Sequence, residues 1–80
     1  MQLSTRAAAV RAAIEHATQE TATVTEPLPG MVRITARADI GDPERWAQTR
    51  RAIQAGDRWG SCDGIGEILV WSELRETRCP

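Results

Sequence analysis

Apolar positions at Leu3, Ala7, Val10, Ile14 and Ala17 fall in steps of four, three, four and three, which lays one stripe along a helix. Ser4 or Thr5 can accept from the free amides of its first turn. The other face carries Arg6, Arg11, Glu15 and Gln19 and reads as solvated, with Arg11 and Glu15 spaced as a surface pair. At Thr21 the rhythm changes to alternation. Thr21 to Glu26 is rich in β-branched residues and predicts a strand with Ala22 and Val24 on one side. Pro27-Leu28-Pro29-Gly30 should break it, because neither proline can donate to a ladder. Val32, Ile34, Ala36 and Ala38 then form the inward parity of a second strand, with Arg33, Thr35 and Arg37 facing the other way.

Asp42-Pro43-Glu44 predicts a second helix start: Asp42 caps, Pro43 takes the first helical position, and Glu44 suits the positive end of the helix dipole. That helix should run to about Ala55 with Gly56 closing it. Asp57 to Cys62 reads as a short third strand, and Asp63-Gly64 with Ile65-Gly66 as a tight turn. Gly66 to Leu74 is the most β-like run in the chain, with Ile68, Val70 and Leu74 on one face and Leu69 and Trp71 on the other. Glu76 to Pro80 reads as a frayed tail.

The two halves resemble each other. Arg11 to Ala17 (Arg-Ala-Ala-Ile-Glu-His-Ala) matches Arg50 to Gly56 (Arg-Arg-Ala-Ile-Gln-Ala-Gly), and Gly30 to Arg37 falls opposite Gly66 to Glu73. In this match Ala7 faces Trp46 and Val10 faces Thr49, so a small residue in one helix answers a large one in the other. The prediction is an α+β two-layer domain of tandem αββ units, α-β-β-α-β-β, with two helices on one face of a four-stranded antiparallel sheet. A single domain over residues 1–75 is expected, with halves at about 3–38 and 42–75 and a tail at 76–80. The expected core is Val10, Ile14, Ala17, Val24, Val32, Ile34, Trp46, Ile53, Ile68 and Val70. Strand order and the placement of Trp59 are left open by the pattern.

Composition narrows the function classes. In 80 residues, folding buries only about 60% of the surface the unfolded chain exposes, leaving little room for a deep cleft. Ten basic and eleven acidic residues give a net charge of −1, so no global field draws the chain to nucleic acid or to an anionic membrane. Every basic residue is Arg, and Ala is abundant, the usage of a high-GC, bacterial-type genome before it is a sign of bidentate anion recognition. No apolar run approaches the roughly 20 residues that span a bilayer, and no secretion signal follows Met1, so a cytoplasmic protein with two reduced thiols, Cys62 and Cys79, is expected. Two cysteines and one histidine fall short of a four-ligand zinc site, and no metal or other cofactor is expected.

No acid, base and nucleophile can be named together, so no catalytic residue is assigned and the chain is read as non-enzymatic. His16 lies in the last turn of helix one, where a surface or capping role suffices. Gly60-Ser-Cys-Asp-Gly-Ile-Gly66 lacks the Gly-Lys-Ser/Thr ending of a phosphate loop and precedes a strand, so it reads as a hairpin turn with Cys62 an incidental thiol.

Two surfaces are candidates. Arg33, Thr35, Arg37, Leu69 and Trp71 should share the sheet face that the helices leave uncovered, resembling an interface centre with a polar rim. This favours a protein-interaction or regulatory module, most simply a homodimer joined through the open sheet faces, or a site for another protein in its place. The alternative is a nucleic-acid-binding regulator using Arg45, Arg50, Arg51 and Arg58, with Trp46 and Trp59 interleaved; Glu44, Asp57 and Asp63 among them argue for a solvated face instead.

Overall fold

The computed structural model describes residues 4–39, 41–64 and 67–75. Its elements are α1 (Thr5–Thr18), β1 (Thr23–Leu28), β2 (Met31–Ala38), α2 (Pro43–Gln54), β3 (Arg58–Gly64) and β4 (Glu67–Arg75). Leu3 and the tail at 76–80 lie outside the described residues, as do positions 65 and 66 of the turn expected before β4.

Both helices start where the sequence places their caps. Ser4 is extended and its Oγ accepts from the amide of Ala7 at 3.0 Å. Asp42 accepts from the amides of Glu44 and Arg45 at 3.1 and 3.2 Å, with Pro43 filling the first turn. Their ends differ. Gln19 closes α1 at φ 60°, in the left-handed region. The second helix stops at Gln54 with Ala55 right-handed, so Gly56 is not the left-handed cap expected of it. Gly56 is needed for clearance: a Cβ there would stand 2.0 Å from Ser72 Oγ and 2.9 Å from the carbonyl of Glu73, so only glycine lets β4 pass this closely.

Strand boundaries shift for similar reasons. Pro27 does not end β1, which continues through it to Leu28 with an irregular register between Thr25 and Leu28. As an edge strand, β1 tolerates a residue without an N–H. Leu28 and Met31 pair across Pro29-Gly30, and Gly30 at φ 80° supplies the positive φ that a type II turn requires. The third strand starts at Arg58 and takes in Asp63 and Gly64, which the pattern assigned to a turn.

The sheet is antiparallel throughout, in the order β1-β2-β4-β3, so the two αββ units join through their second strands. Val32, Ile34, Ala36 and Ala38 of β2 face the helices with Ile68, Val70 and Leu74 of β4, while Ala7, Val10, Ile14 and Ala17 of α1 and Ala52 and Ile53 of α2 close the layer above them. Every residue of the expected core is there, with Val24, Trp46 and Ile68 partly buried at its margin. Ser72 stands wholly buried among them. Its Oγ donates to the carbonyl of Ile53 at 2.8 Å, which satisfies both groups without water.

The outer face of α1 is less detached than its polarity implies. Glu15 accepts from the amide of Ala22 at 2.9 Å, tying the helix to the approach to β1. Arg6 reaches across to Asp57, donating to its two carboxylate oxygens at 3.0 and 3.3 Å and to the carbonyl of Ala55 at 3.3 Å. The amide of Arg75 donates to the same carboxylate at 2.8 Å, and the Asp57 amide donates to the carbonyl of Glu73 at 2.8 Å. One aspartate thus links α1, the connection after α2, and β4. The Arg6 hydrogen bond, followed by that from Arg75, holds its carboxyl below the ordinary value of 3.8.

Candidate functional site

Side chains alternate across a strand, so the parity that buries Val70, Ser72 and Leu74 under the helices sends Leu69, Trp71, Glu73 and Arg75 to the second face of the sheet. Register then sets their neighbours. One row across the sheet reads Thr25, Arg33, Glu73, Arg58; the next reads Thr23, Thr35, Trp71, Gly60; the third reads Arg37, Leu69, Cys62. Arg33, Thr35, Arg37, Leu69 and Trp71 therefore share one face, and among the described residues no helix or strand packs over it.

The centre of this face is built rather than merely exposed. Trp71, expected to stand out in solvent, is partly buried: its indole lies across Gly60, where a Cβ would come within 2.7 Å of Cζ2 and 3.0 Å of Cε2. Glycine at 60 lets the ring lie down on its own sheet. The Arg33 guanidinium carbon sits over that ring, 5.5 Å from its centroid. Arg33 Nε also donates to Glu73 Oε2 at 2.7 Å, and its Nη2 pairs with the same oxygen. Glu73 is only 4% exposed on a face that no other element covers among the described residues. A buried carboxylate costs several kcal/mol unless its charge is answered, by roughly the desolvation of one ion, and Arg33 answers it from directly across the ladder. Arg33 is consequently fixed between a carboxylate and an indole while its side chain stays 44% exposed.

Arg58, read from the sequence as part of another cluster, belongs here: it stands across from Glu73 on β3, on the face away from the helices. Arg75, paired with Met31, adds a further arginine at the same end. A shallow cleft of about 260 Å³ opens there between Met31, Asp57, Arg58, Glu73, Leu74 and Arg75. Its two carboxylates are already engaged, Asp57 by Arg6 and Glu73 by Arg33.

The cluster of Arg45, Arg50, Arg51 and Arg58 is not one surface. Arg45, Arg50 and Arg51 lie on α2, and Arg58 faces the other side of the sheet. Trp46 packs against the core, whereas Trp59 takes the helix-side parity opposite Ser72 at the sheet edge and is 44% exposed. His16 is exposed on α1 and Cys62 is exposed on the open face, on opposite sides of the sheet. Gly60 to Gly64 lie in a strand, whose successive amides point in opposite directions and do not converge on one anion. No cluster of three potential metal ligands occurs among the described residues. None of their helices is long and apolar enough to cross a membrane.

Sequence reasoning missed Glu73, Gly60 and Arg75 as parts of the face. Glu73 and Arg75 share the parity of Leu69 and Trp71 and could have been placed by it; Gly60 could not, because its role depends on the register of β3 against β4, which the extension of β3 to Gly64 sets.

No family model, no curated protein and no solved structure matches this chain.

Proposed function

We propose that this chain is a non-enzymatic binding module whose working surface is the open sheet face, and that the partner it docks is anionic. The observation that carries the reading is the in-register convergence of Arg33, Thr35, Arg37, Leu69 and Trp71, with buried Glu73 bracing Arg33. A braced arginine beside an aromatic is pre-organised, so less side-chain entropy is lost when a ligand engages it.

Charge decides the kind of partner. Among the described side chains, this face and the cleft at its end present Arg33, Arg37, Arg58 and Arg75 against Glu73 and Asp57, whose charges Arg33 and Arg6 answer, in a chain whose net charge is −1. Two copies meeting face to face would set these arginines against one another, which costs free energy at an interface. A partner rich in carboxylate or phosphate gains from the same arrangement. This speaks for an anionic partner over the homodimer that the sequence pattern alone favours.

An NMR titration with a polyanion, polyglutamate or an oligonucleotide, at low salt tests the reading. Amide shifts should concentrate on β2 and β4 around Arg33, Arg37, Leu69 and Trp71 and fade as salt is raised. Shifts centred on Arg45, Arg50 and Arg51 of α2, or no binding at all, would count against it.

A further inference from the structure

Resting on that reading of the open face, we infer that its anionic partner is a single-stranded nucleic acid, bound with an unpaired base stacked on the Arg33–Trp71 layer and with phosphates held by the flanking arginines. The face offers both chemistries that such a ligand needs. Trp71 lies across Gly60 instead of standing out from the sheet, and the Arg33 guanidinium sits over it 5.5 Å from the ring centroid. Together they put an indole, with a guanidinium over it, at the centre of the face. Bases stack on indole rings and on guanidinium planes alike, and without regard to sequence, because every base has a π face.

The charges lie to both sides of that layer. Arg37 stands one row beyond Trp71, across from Leu69, while Arg58 and Arg75 lie on its other side, by Glu73 and the cleft at the sheet end. A strand crossing the layer meets a guanidinium before and after it, the arrangement that lets a backbone be tracked while one base is stacked. Glu73 keeps Arg33 from swinging out to a phosphate, because leaving would strand a carboxylate that is 4% exposed. Arg33 is therefore assigned to stacking, and Arg37, Arg58 and Arg75 to phosphate contact.

Alternative polyanions use only half of this surface. An acidic polypeptide has carboxylates for the arginines but nothing that requires an indole and a guanidinium between them. Duplex bases are already stacked on one another and cannot stack on side chains of a sheet face without leaving the helix. Single strands engage both parts.

The test is fluorescence quenching and anisotropy with oligothymidylate and oligouridylate of about 12 nucleotides, within the range of single-strand site sizes. A matched duplex and polyglutamate are run beside them, across a series of salt concentrations. Single strands should bind most tightly, with log K falling linearly in log salt. Trp71→Ala should weaken binding roughly tenfold or more, and Trp71→Phe should recover most of it. Arg37→Gln, a change on the surface, should flatten the salt slope by about 0.7 if one phosphate contact is lost; this arm holds even where Trp71→Ala compromises folding. Polyglutamate or duplex binding as tightly as the single strands, or Trp71→Ala and Trp71→Phe both leaving affinity unchanged, would overturn the nucleic-acid assignment and leave the anionic face standing. Absence of any polyanion binding at low salt, or a dimer in sedimentation that Arg37→Glu dissociates, would overturn both.

Discussion

The two αββ units share one element order and are used for different ends. In the first, α1 presents Ala7, Val10, Ile14 and Ala17 to the sheet; in the second, α2 presents Trp46, Thr49, Ala52 and Ile53. The match between residues 30–37 and 66–73 makes Thr35 and Trp71 equivalent, and antiparallel pairing of β2 with β4 sets those two residues directly opposite each other. A small residue in one unit thereby gives room beside a large one in the other. The same exchange makes Arg33 equivalent to Leu69 and Arg37 to Glu73, so the Arg33–Glu73 row at one end answers the Arg37–Leu69 row at the other. On the helix side the match is mostly apolar, Ile14 with Ile53, Val32 with Ile68 and Ile34 with Val70, although Val10 and Ala36 fall opposite the buried polar Thr49 and Ser72. The open face departs from it, and its charge and its one indole follow from that departure.

The edge strands part company as well. In the first unit β1 is almost wholly exposed and carries Pro27 and a register shift, which blunts it as a template for further pairing. In the second, β3 keeps an unbroken register with β4, and Gly60 within it makes room for Trp71.

The largest test of this equivalence is in the core. Ile14 and Ile53 are matched positions and both are buried to 1% exposure or less. Replacing either with Ala should cost about 2–5 kcal/mol and by similar amounts, measured by urea unfolding; a disparity of several kcal/mol would break the comparison. The next test contrasts Ala17 with its match, Gly56. The first unit already accommodates a methyl group at this position, buried at 4% exposure, whereas Gly56→Ala forces a Cβ into Ser72 and the β4 backbone. Its expected cost is about 1–3 kcal/mol, and a neutral result would show that β4 can move away from α2.

On the open face, Arg33→Ala leaves Glu73 buried without its partner and should lower stability by roughly 1–3 kcal/mol. Arg37→Ala, an exposed residue at the other end, should cost less, about 1 kcal/mol at most. Equal effects in thermal unfolding would mean that Glu73 does not depend on Arg33. The smallest expected effect is the acid response of Asp57, which is exposed. Its folded-state pKa is lowered from 3.8 by Arg6 and the Arg75 amide, so its contribution is present above that value and is lost as pH falls through the lower folded one. Asp57→Asn should remove that part of the acid destabilisation and slightly weaken the protein at neutral pH; identical acid profiles for the two proteins would show that the Arg6–Asp57 link carries no stability.

Local chemistry and periodicity by themselves determined the two helices with their caps at Ser4 and Asp42, the inward parity of β2 and β4, and hence which five residues share the open face. These are properties of a residue and its near neighbours, set by hydrogen bonding within a turn and by alternation along a strand. Tertiary structure decided the strand order and all that follows from it. Only the pairing of β4 with β3 puts Gly60 under Trp71 and brings Arg58 to the open face, away from the arginines of α2. Only the pairing of β4 with β2 sets Arg33 beside Glu73 so that a carboxylate can be buried there, and only the close passage of β4 makes Gly56 a matter of clearance instead of helix closure. Contacts between residues more than ten positions apart leave no periodic trace in the chain, since each depends on which strands lie side by side and in what register.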